Sequence, residues 1–499
     1  MSIDWILLTP AAAPAAGALL VLLLDLLGQR RVSRWAAPAI GVAANLVGLA
    51  AILLVAGRRT TSSQLGGHPD RLTLCTPGPG GACFVDVSGP AVGLAASVLL
   101  SGAVVVVLMW PNRQDPPPVR GTVPVALVLT AVCGGVVVAT GRDVATWLIG
   151  LELATLPLVA LVALAGTSRA AHGSLSFVLV SVLSFGLLAV AVALWVVATG
   201  SAGLTGAAVE AAWRDTSHRP ALTLAVMFAL AGLGFKVAAV PFHTWVPPTY
   251  TASPLAVTTA LASVSKVAAV AGLVALVRPL VEAKTAGVDL HAAAFGLGLL
   301  ACLTMTVGGL IALRQDDVVR LIAWSAIAQG GWLLFGLAAL SEAGLRATSA
   351  YAAAYALASI VVLTVVAVVS GAGVEAIERR QLSAYAGLFR RHPGLAFALT
   401  LGLLSLAGLP PGVLGLVAKV VVIAPVVAAN LWWLAVIAAA NVVLGVAVYV
   451  RWIRVLLAPP DPGADAPDAA ASSGIALGVA TTILAGLSIA PHFLLALVR

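Results

Sequence analysis

Long apolar stretches alternate with short polar ones along the whole 499-residue chain. The apolar windows fall near 5–27, 36–56, 88–110, 122–140, 144–166, 174–199, 221–245, 254–278, 291–313, 320–340, 347–371, 395–425, 431–456 and 474–497. Each is long enough to cross about 30 Å of hydrocarbon as a helix. Period-two alternation is nearly absent, and Ala, Leu, Val and Gly dominate, so the pattern predicts helices and not a barrel. The fold class is therefore an all-α polytopic membrane protein with about 14 transmembrane helices, one for each window.

Composition agrees with the pattern. Hydrophobic residues make up 61% of the chain and charged residues only 9%, where a soluble domain carries about a quarter. A water-facing fold has no means of hiding so much apolar surface. The net charge of +8 lies mostly between the windows, with no basic run interleaved with aromatics. It suits an anionic membrane surface and argues against nucleic acid as a partner. No basic start precedes the first apolar run, which reads as a span and not as a cleaved leader.

An even number of crossings puts both termini on one side. The basic segments "GQRRVSR" (28–34), "PNRQDPPPVR" (111–120), "RQDDVVR" (314–320) and "ERRQLSAYAGLFRRH" (378–392) all fall on one face. The positive-inside tendency makes that face cytoplasmic and both termini outside; Arg58, Arg59, Arg214 and Arg219 oppose it from the other face. Cys75 and Cys83 flank "TPGPGGA" in a loop that this orientation places outside, where the pair could close a small disulfide hairpin. Only His68 is close to them along the chain, so no metal site is indicated. Cys133 and Cys302 lie within apolar spans and read as packing residues.

Four ionisable residues sit well inside apolar windows. Glu152, in "WLIGLELATLPL", lies in the fifth, Lys236 in the seventh, Lys266 in the eighth and Lys419 in the twelfth. Each such group costs roughly 2.5–3.5 kcal/mol on insertion scales. Snorkelling to the interface accounts poorly for lysines this deep. A fixed ion pair would use Glu152 and one lysine and leave two over. The chemistry that uses all four is a proton relay, because burial disfavours an ammonium and a nearby carboxylate favours it. Glu152 and Lys236 would form the pair, and Lys266 and Lys419 would pass the proton on. His243, Ser263, Ser265, Ser325 and Gln329 could line the path, although each alone is more often a satisfied helix–helix contact. Trp147, Trp245 and the other tryptophans read as interface anchors.

Two windows carry helix breakers beside their lysines. Pro241 follows Lys236, and "LAGLPPGVLGLVAK" places Pro410, Pro411 and Gly412 ahead of Lys419. Proline removes a helical hydrogen bond, and broken helices at matching places in two halves point to a transporter built from inverted repeats. The expected division is 1–120 for helices 1–3 with an outer loop and 121–280 for a first repeat of helices 4–8. A second repeat of helices 9–13 takes 281–456, and a linker with the final helix takes 457–499. The broken helices are then numbers 7 and 12. No nucleotide loop, haem ligand pair or cysteine cluster is present, so no redox cofactor is expected in this chain.

At these residues the sequence resembles a known family. "WLIGLELATLPL", "GFKVAAVPFHTWVPPTYTASPLAVTTALASVSK", "RLIAWSAIAQGGWLLFG" and "LFRRHPGLAFALTLGLLSLAGLPPGVLGLVAK" are similar to motifs of the antiporter-like subunits of NADH–quinone oxidoreductase, respiratory complex I. The resemblance runs from about 120 to 425. It implies fourteen helices, two inverted five-helix repeats, and Glu152, Lys236, Lys266 and Lys419 as the pumping residues. It implies a translocase subunit of a bacterial inner membrane, with no redox chemistry of its own. NADH, flavin, iron–sulfur clusters and quinone would belong to partner subunits, and the contacts of this chain would be other membrane-arm subunits and the lipid bilayer. Within the family, three features point to one subunit type: the "PFHTWVPPTY…SP" form, lysine and not glutamate at position 419, and an end after the fourteenth span without a long lateral helix. The chain departs from the family pattern at Ser176–Phe177, Pro247–Pro248, Gln329 and "LGLVAK". The alternative function is a cation/proton antiporter subunit of the Mrp type, which uses the same fold and charges; a purely structural subunit would have no use for all four.

Overall fold

A run of some twenty apolar residues in hydrocarbon must satisfy its backbone internally, and the chain does so with helices. The computed structural model describes residues 3–27, 30–57, 71–76, 83–87, 89–111, 121–371, 378–459 and 471–498. Among these, thirteen helices are long and apolar enough to cross a membrane. In chain order α1 is Trp5–Leu26 and α2 Arg30–Gly57, followed by a hairpin of β1 (Leu72–Cys75) and β2 (Cys83–Asp86). Next come α3 (Pro90–Leu108), α4 (Thr122–Thr140), α5 (Val144–Ala163), α6 (Ser168–Thr199) and the short α7 (Gly206–Arg214). Then follow α8 (Arg219–Val237), the short α9 (Val246–Ala252) and α10 (Leu255–Ala260), which continues through a π-helical turn at Leu261–Ser265 into α11 (Lys266–Thr285). After these come α12 (His291–Ala312), α13 (Val318–Leu337), α14 (Glu342–Ser370), the one-turn α15 (Leu388–Arg391), α16 (Pro393–Ala407) and α17 (Val413–Ala428). The chain finishes with α18 (Trp432–Leu457), α19 (Ala471–Ile489) and α20 (His492–Leu497).

The continuous helix of α10 and α11, together with α13 and α14, forms the centre of the bundle and is nearly all buried. The rim helices α1, α2, α6, α18 and α19 keep most of their surface exposed, with Leu175, Leu179, Val182 and Val436 pointing outward. Apolar exposure on that scale belongs to lipid or to a partner, not to water.

Several elements differ from the sequence reading. The window 221–245 is not one helix, because α8 stops at Val237 and a turn runs from 238 to 245. The window 395–425 is two helices, α16 and α17, and the last window divides at Ala490 and Pro491. The loop after α2 contains an antiparallel hairpin, paired from Leu72–Asp86 to Cys75–Cys83 and closed by a Cys75–Cys83 disulfide. Four-residue strands are too short to show alternation, so the pattern gave no signal for them. Trp147 and Trp245 are not interface anchors. Both are buried; the Trp147 indole donates to the Gly272 carbonyl at 3.0 Å, and Trp245 stacks on Phe177 at 4.4 Å. Exposed tryptophans do occur, at Trp5, Trp35, Trp432 and Trp433.

Asp4 and Val498, near the two ends of the chain, lie at the hairpin end of the bundle. The Asp4 amide donates to Thr73 of β1 at 3.0 Å, and Val498 lies directly over Gly93 in the first turn of α3. Loop 313–317 marks the opposite end. There Arg451 near the end of α18 donates to the Leu313 and Gln315 carbonyls and pairs with Asp316. Segment 112–120, Gly28, Gln29, Arg58, Arg59 and His68 fall outside the described residues, as do 460–470 of the predicted linker.

Candidate functional site

The two interrupted regions set the site. An α-helix ends with four carbonyls that lack intrahelical partners. In α8, Ala238 takes a left-handed conformation (φ 62°), its N–H reaching back to Gly234 and Phe235, while Ala239 donates to Gly234 at 2.8 Å. The Trp245 indole covers the Phe235 carbonyl at 2.9 Å. The last carbonyl, Val237, is left for Lys266, whose Nζ donates to it at 2.8 Å.

The end of α16 repeats the backbone part of this arrangement and the lysine on the last carbonyl. Gly408 (φ 81°) donates to Leu404 and Ser405, and Leu409 donates to Leu404. Gln329 donates to the Leu406 carbonyl at 3.1 Å. The last carbonyl, Ala407, accepts from Lys419 Nζ at 2.6 Å. A proline stands three residues beyond each left-handed residue, Pro241 in one case and Pro411 in the other, with Pro410 just before the second. The carbonyl end of a helix carries partial negative charge, so a lysine is well placed there.

Lys236, one residue before the end of α8, faces α5. Asp143 caps α5 by accepting from Ala145 and Thr146, and the helix carries Glu152 to mid-depth. Lys236 Nζ lies 3.0 Å from Glu152 Oε1 and donates to Thr155 Oγ1 at 3.1 Å. A cavity of about 10 Å³ adjoins the ammonium, lined by Thr155, Ser181, Ser184 and Ser265 among others. Ser265 ends the π-helical turn immediately before Lys266. A second cavity, of about 20 Å³, joins Lys419 to Ser325, Gln329, Asn441 and Tyr449. The Lys419 ammonium also stands over the Trp332 ring, 5.1 Å from its centroid, a favourable position for a cation.

Glu152 and Lys236 are thus brought together. Lys266 sits on the end of α8, beside Gly330 of α13, and Gln329 stands next to that glycine. His243 lines neither lysine cavity and packs against Trp324 at 5.3 Å. Ser263 donates to the Thr259 carbonyl of its own helix at 2.6 Å, as an ordinary intramembrane serine does. Ser176 is not on the Lys236 cavity; from α6 it is Ser181 and Ser184 that reach it.

Sequence reasoning passed over two groups of residues. Tyr351 and Tyr449 hydrogen-bond Gln329 from α14 and α18. All five tyrosines of the chain are buried, which is a poor fit to interface anchoring, and for Tyr351 and Tyr449 the position inside windows 347–371 and 431–456 was the available signal. At the hairpin end, Asp86 is held by Arg142 at 3.0 Å and Arg278 at 2.8 Å, and Glu282 lies 3.6 and 3.4 Å from the same two arginines. This network borders a cavity of about 380 Å³. Asp86, Arg142 and the Arg278–Glu282 pair come from three distant segments, so no single local pattern announces the network. Among the described residues no group of three or more His, Cys, Asp or Glu could hold a metal ion.

A multi-helix membrane bundle with two matched helix interruptions and buried lysines at each defines an antiporter-like membrane protein. Residues 141–445 match the family model described as "NADH:quinone oxidoreductase/Mrp antiporter, TM". The chain is 36% identical over 473 residues to NADH-quinone oxidoreductase subunit N 2 of Streptomyces griseus, covering 92% of this chain and 84% of that one. It is 37% identical over 474 residues to subunit N of Salinispora tropica, covering 92% and 86%. Among solved structures it superposes with a TM-score of 0.76 and 26% identity on a chain of respiratory complex I from Thermus thermophilus, covering 97% and 98%. It also superposes with a TM-score of 0.77 on a chain of the Mrp complex from Dietzia sp. DQ12-45-1b, where 19% identity speaks for the fold alone. The chain belongs to the NADH:quinone oxidoreductase/Mrp antiporter family, in its bacterial subunit N branch.

Proposed function

We propose that this chain is a proton-translocating membrane-arm subunit of a bacterial NADH–quinone oxidoreductase. Glu152, Lys236, Lys266 and Lys419 form its buried relay, driven by quinone reduction elsewhere in the complex. One observation carries this reading. Three buried lysines are each held by few partners: a carboxylate and a hydroxyl for Lys236, one helix-end carbonyl for Lys266, and one helix-end carbonyl with the face of the Trp332 ring for Lys419. An ammonium has three donors, and a purely structural lysine at this depth would have them satisfied. An ammonium bound by neutral groups alone, as Lys266 and Lys419 are, is one that can release its proton, and Lys419 has a small polar cavity beside it.

The relay works by changing what each ammonium faces. While Glu152 stands 3.0 Å from Lys236, the carboxylate favours the charged lysine; when the carboxylate moves or is neutralised, the lysine gives its proton up. Lys266 and Lys419, on the negative ends of α8 and α16, are the next two stations. The matched helix ends support the reading of helices 4–8 and 9–13 as two inverted repeats, with 1–120 and 457–499 outside them. The face carrying loop 313–317 is cytoplasmic and both termini lie outside, a reading supported by the basic loops and by the disulfide beside the N-terminus. The partners are other membrane-arm subunits. They would also supply the sites for NADH, flavin, iron–sulfur clusters and quinone.

The test is Lys236→Met in the assembled complex, reconstituted in liposomes. The change keeps an unbranched side chain of similar length and removes the titrating amine, and insertion becomes easier because an intramembrane charge is gone. Proton translocation should fall sharply, and quinone reduction with it where coupling is tight. Normal assembly with the wild-type proton-to-electron ratio would make Lys236 a structural charge. Copurification with dehydrogenase subunits, and pumping that needs no sodium gradient, separate this function from that of an Mrp-type antiporter.

A further inference from the structure

The hairpin end of the bundle holds a cavity of about 380 Å³, within the range of small-molecule pockets, about 300–1,000 Å³. Four arginines line it, and each comes from a different place in the fold. Arg71 precedes β1, Arg142 stands at the corner between α4 and α5, Arg278 lies on α11 and Arg346 on α14. Asp86 and Glu342 are the acids of the lining. Two of the arginines are already committed. Arg142 and Arg278 share Asp86, whose side chain is 4% exposed, and both reach Glu282. The second oxygen of Glu282 accepts from the Gly206 N–H at 2.8 Å. These two bases and two acids form a neutral group.

The other two arginines are not so committed. A guanidinium has five N–H donors. Among the described residues Arg71, half-buried, uses one of them, from Nη2 to the Ala56 carbonyl at 3.3 Å. Arg346 is exposed and makes no hydrogen bond or ion pair with the described residues. Glu342, also exposed, is the one acid of the lining left to face them. The cavity and the neutral group beside it therefore hold more positive than negative charge. Helix ends do not alter that balance. The uncapped start of α3 (Gly89–Ala91) and the end of α4 (Ala139–Gly141) both line the cavity, and their fields have opposite signs. The side chains decide what it attracts.

We propose that this cavity binds a phosphate-type oxyanion, held by Arg71 and Arg346 with the Asp86–Arg142–Arg278–Glu282 group as part of its wall. The planar fork of a guanidinium matches phosphate oxygens two at a time, which makes arginine the residue suited to this ligand. The helices that line the cavity are α3, α4, α11 and α14, and most of their surface lies inside the bundle. Lipid-facing surface belongs instead to α1, α2, α6, α18 and α19. Exposed Arg346 and Glu342 mark the entrance, so free phosphate reaches the site from the water at this end. A phospholipid headgroup offers the same chemistry but has to pass the rim helices. A bound oxyanion ties the segment before the hairpin to α14 across the top of the bundle. None of Glu152, Lys236, Lys266 and Lys419 lines the cavity, so the site stands independently of the relay. Solvated surface arginines would leave Arg346 exposed in the same way, but they would give no saturable, anion-specific protection.

The experiment is arginine modification by phenylglyoxal in the assembled complex, held in phosphatidylcholine nanodiscs and read peptide by peptide by mass spectrometry. Inorganic phosphate is the probe. It should protect Arg346 and Arg71 saturably, and chloride at the same ionic strength should not. Arg71→Gln should raise the phosphate concentration that half-protects Arg346 by about tenfold, because a charged bidentate partner is lost. Glu342→Gln removes a repelling charge at the exposed entrance and should lower it by about threefold. Quinone reduction should be unchanged in both variants. If Arg71→Gln disturbs assembly, Glu342→Gln decides. Nanodiscs containing phosphatidylglycerol separate the two sources. Protection there without added phosphate, lost in Arg71→Gln, supports the site with a lipid headgroup as its ligand. Equal protection by chloride, no protection by either phosphate or phosphatidylglycerol, or half-protection unmoved in the variants overturns the site. An Arg346 already unreactive in phosphate-free phosphatidylcholine overturns it as well, since an acid of a partner subunit would then occupy the place.

Discussion

Removing the Glu152 carboxylate gives the sharpest measure of the relay. Glu152→Gln keeps the shape of the side chain and takes away the charge 3.0 Å from Lys236. The Lys236 and Glu152 side chains are only 5% and 13% exposed, so water replaces little of what is lost. Lys236 would retain the Thr155 hydroxyl at 3.1 Å, a neutral acceptor. Breaking a buried ion pair by deleting one partner costs about 3–5 kcal/mol. At roughly 1.4 kcal/mol per tenfold, the lower figure corresponds to about a hundredfold lower occupancy of the loaded lysine. Exposed pairs are worth only about 0–1 kcal/mol, so the two situations are well separated. The assay is substrate-driven proton uptake by proteoliposomes, for Glu152→Gln, Lys236→Met and the double variant. The double variant should be no slower than Lys236→Met, because the two residues act on one proton and their effects do not add. Wild-type pumping by Glu152→Gln, or additive losses in the double variant, would refute the pair as the loading device.

Two other expectations test the surroundings. Gly408→Ala should impair pumping although Lys419 is intact, because the new Cβ would sit 2.8 Å from Lys419 Cδ at a left-handed position that costs about 1–2 kcal/mol for an L-residue; unaltered flux would mean that the lysine's seat on Ala407 is unimportant. The Cys75–Cys83 bridge should resist thiol labelling until reduced, and closing so short a loop should contribute about 2.5 kcal/mol to the local hairpin; ready labelling of both thiols without reductant would remove the bridge and weaken the outward assignment of that end.

The apolar windows by themselves settled the class of fold, since backbone polar groups in hydrocarbon leave a helix as the only open-ended solution. The same windows located Glu152, Lys236, Lys266 and Lys419, because a charge at that depth stands out against any apolar background. The prolines showed roughly where two helices are interrupted. They did not show where each helix ends. Proline is compatible with several residues of helix before it, whereas the end is set by which groups arrive to take the last carbonyls: Trp245 and Lys266 for α8, Gln329 and Lys419 for α16. Lys266 and Val237 are 29 residues apart, and Gln329 and Leu406 are 77 apart, and no local pattern encodes such meetings. The tryptophans carry the same lesson. An indole has both an apolar body and a donor, so its sequence context fits an interface as well as an interior, and only the partner decides. Trp147 is interior because Gly272 presents a carbonyl to it. Tyr449 and Ser325, 124 residues apart, became a pair only when α13 and α18 folded together around Lys419. Burial depth is a property of the chain's local composition and is legible there; hydrogen-bond partnership across helices is a property of packing, and only the tertiary structure fixes it.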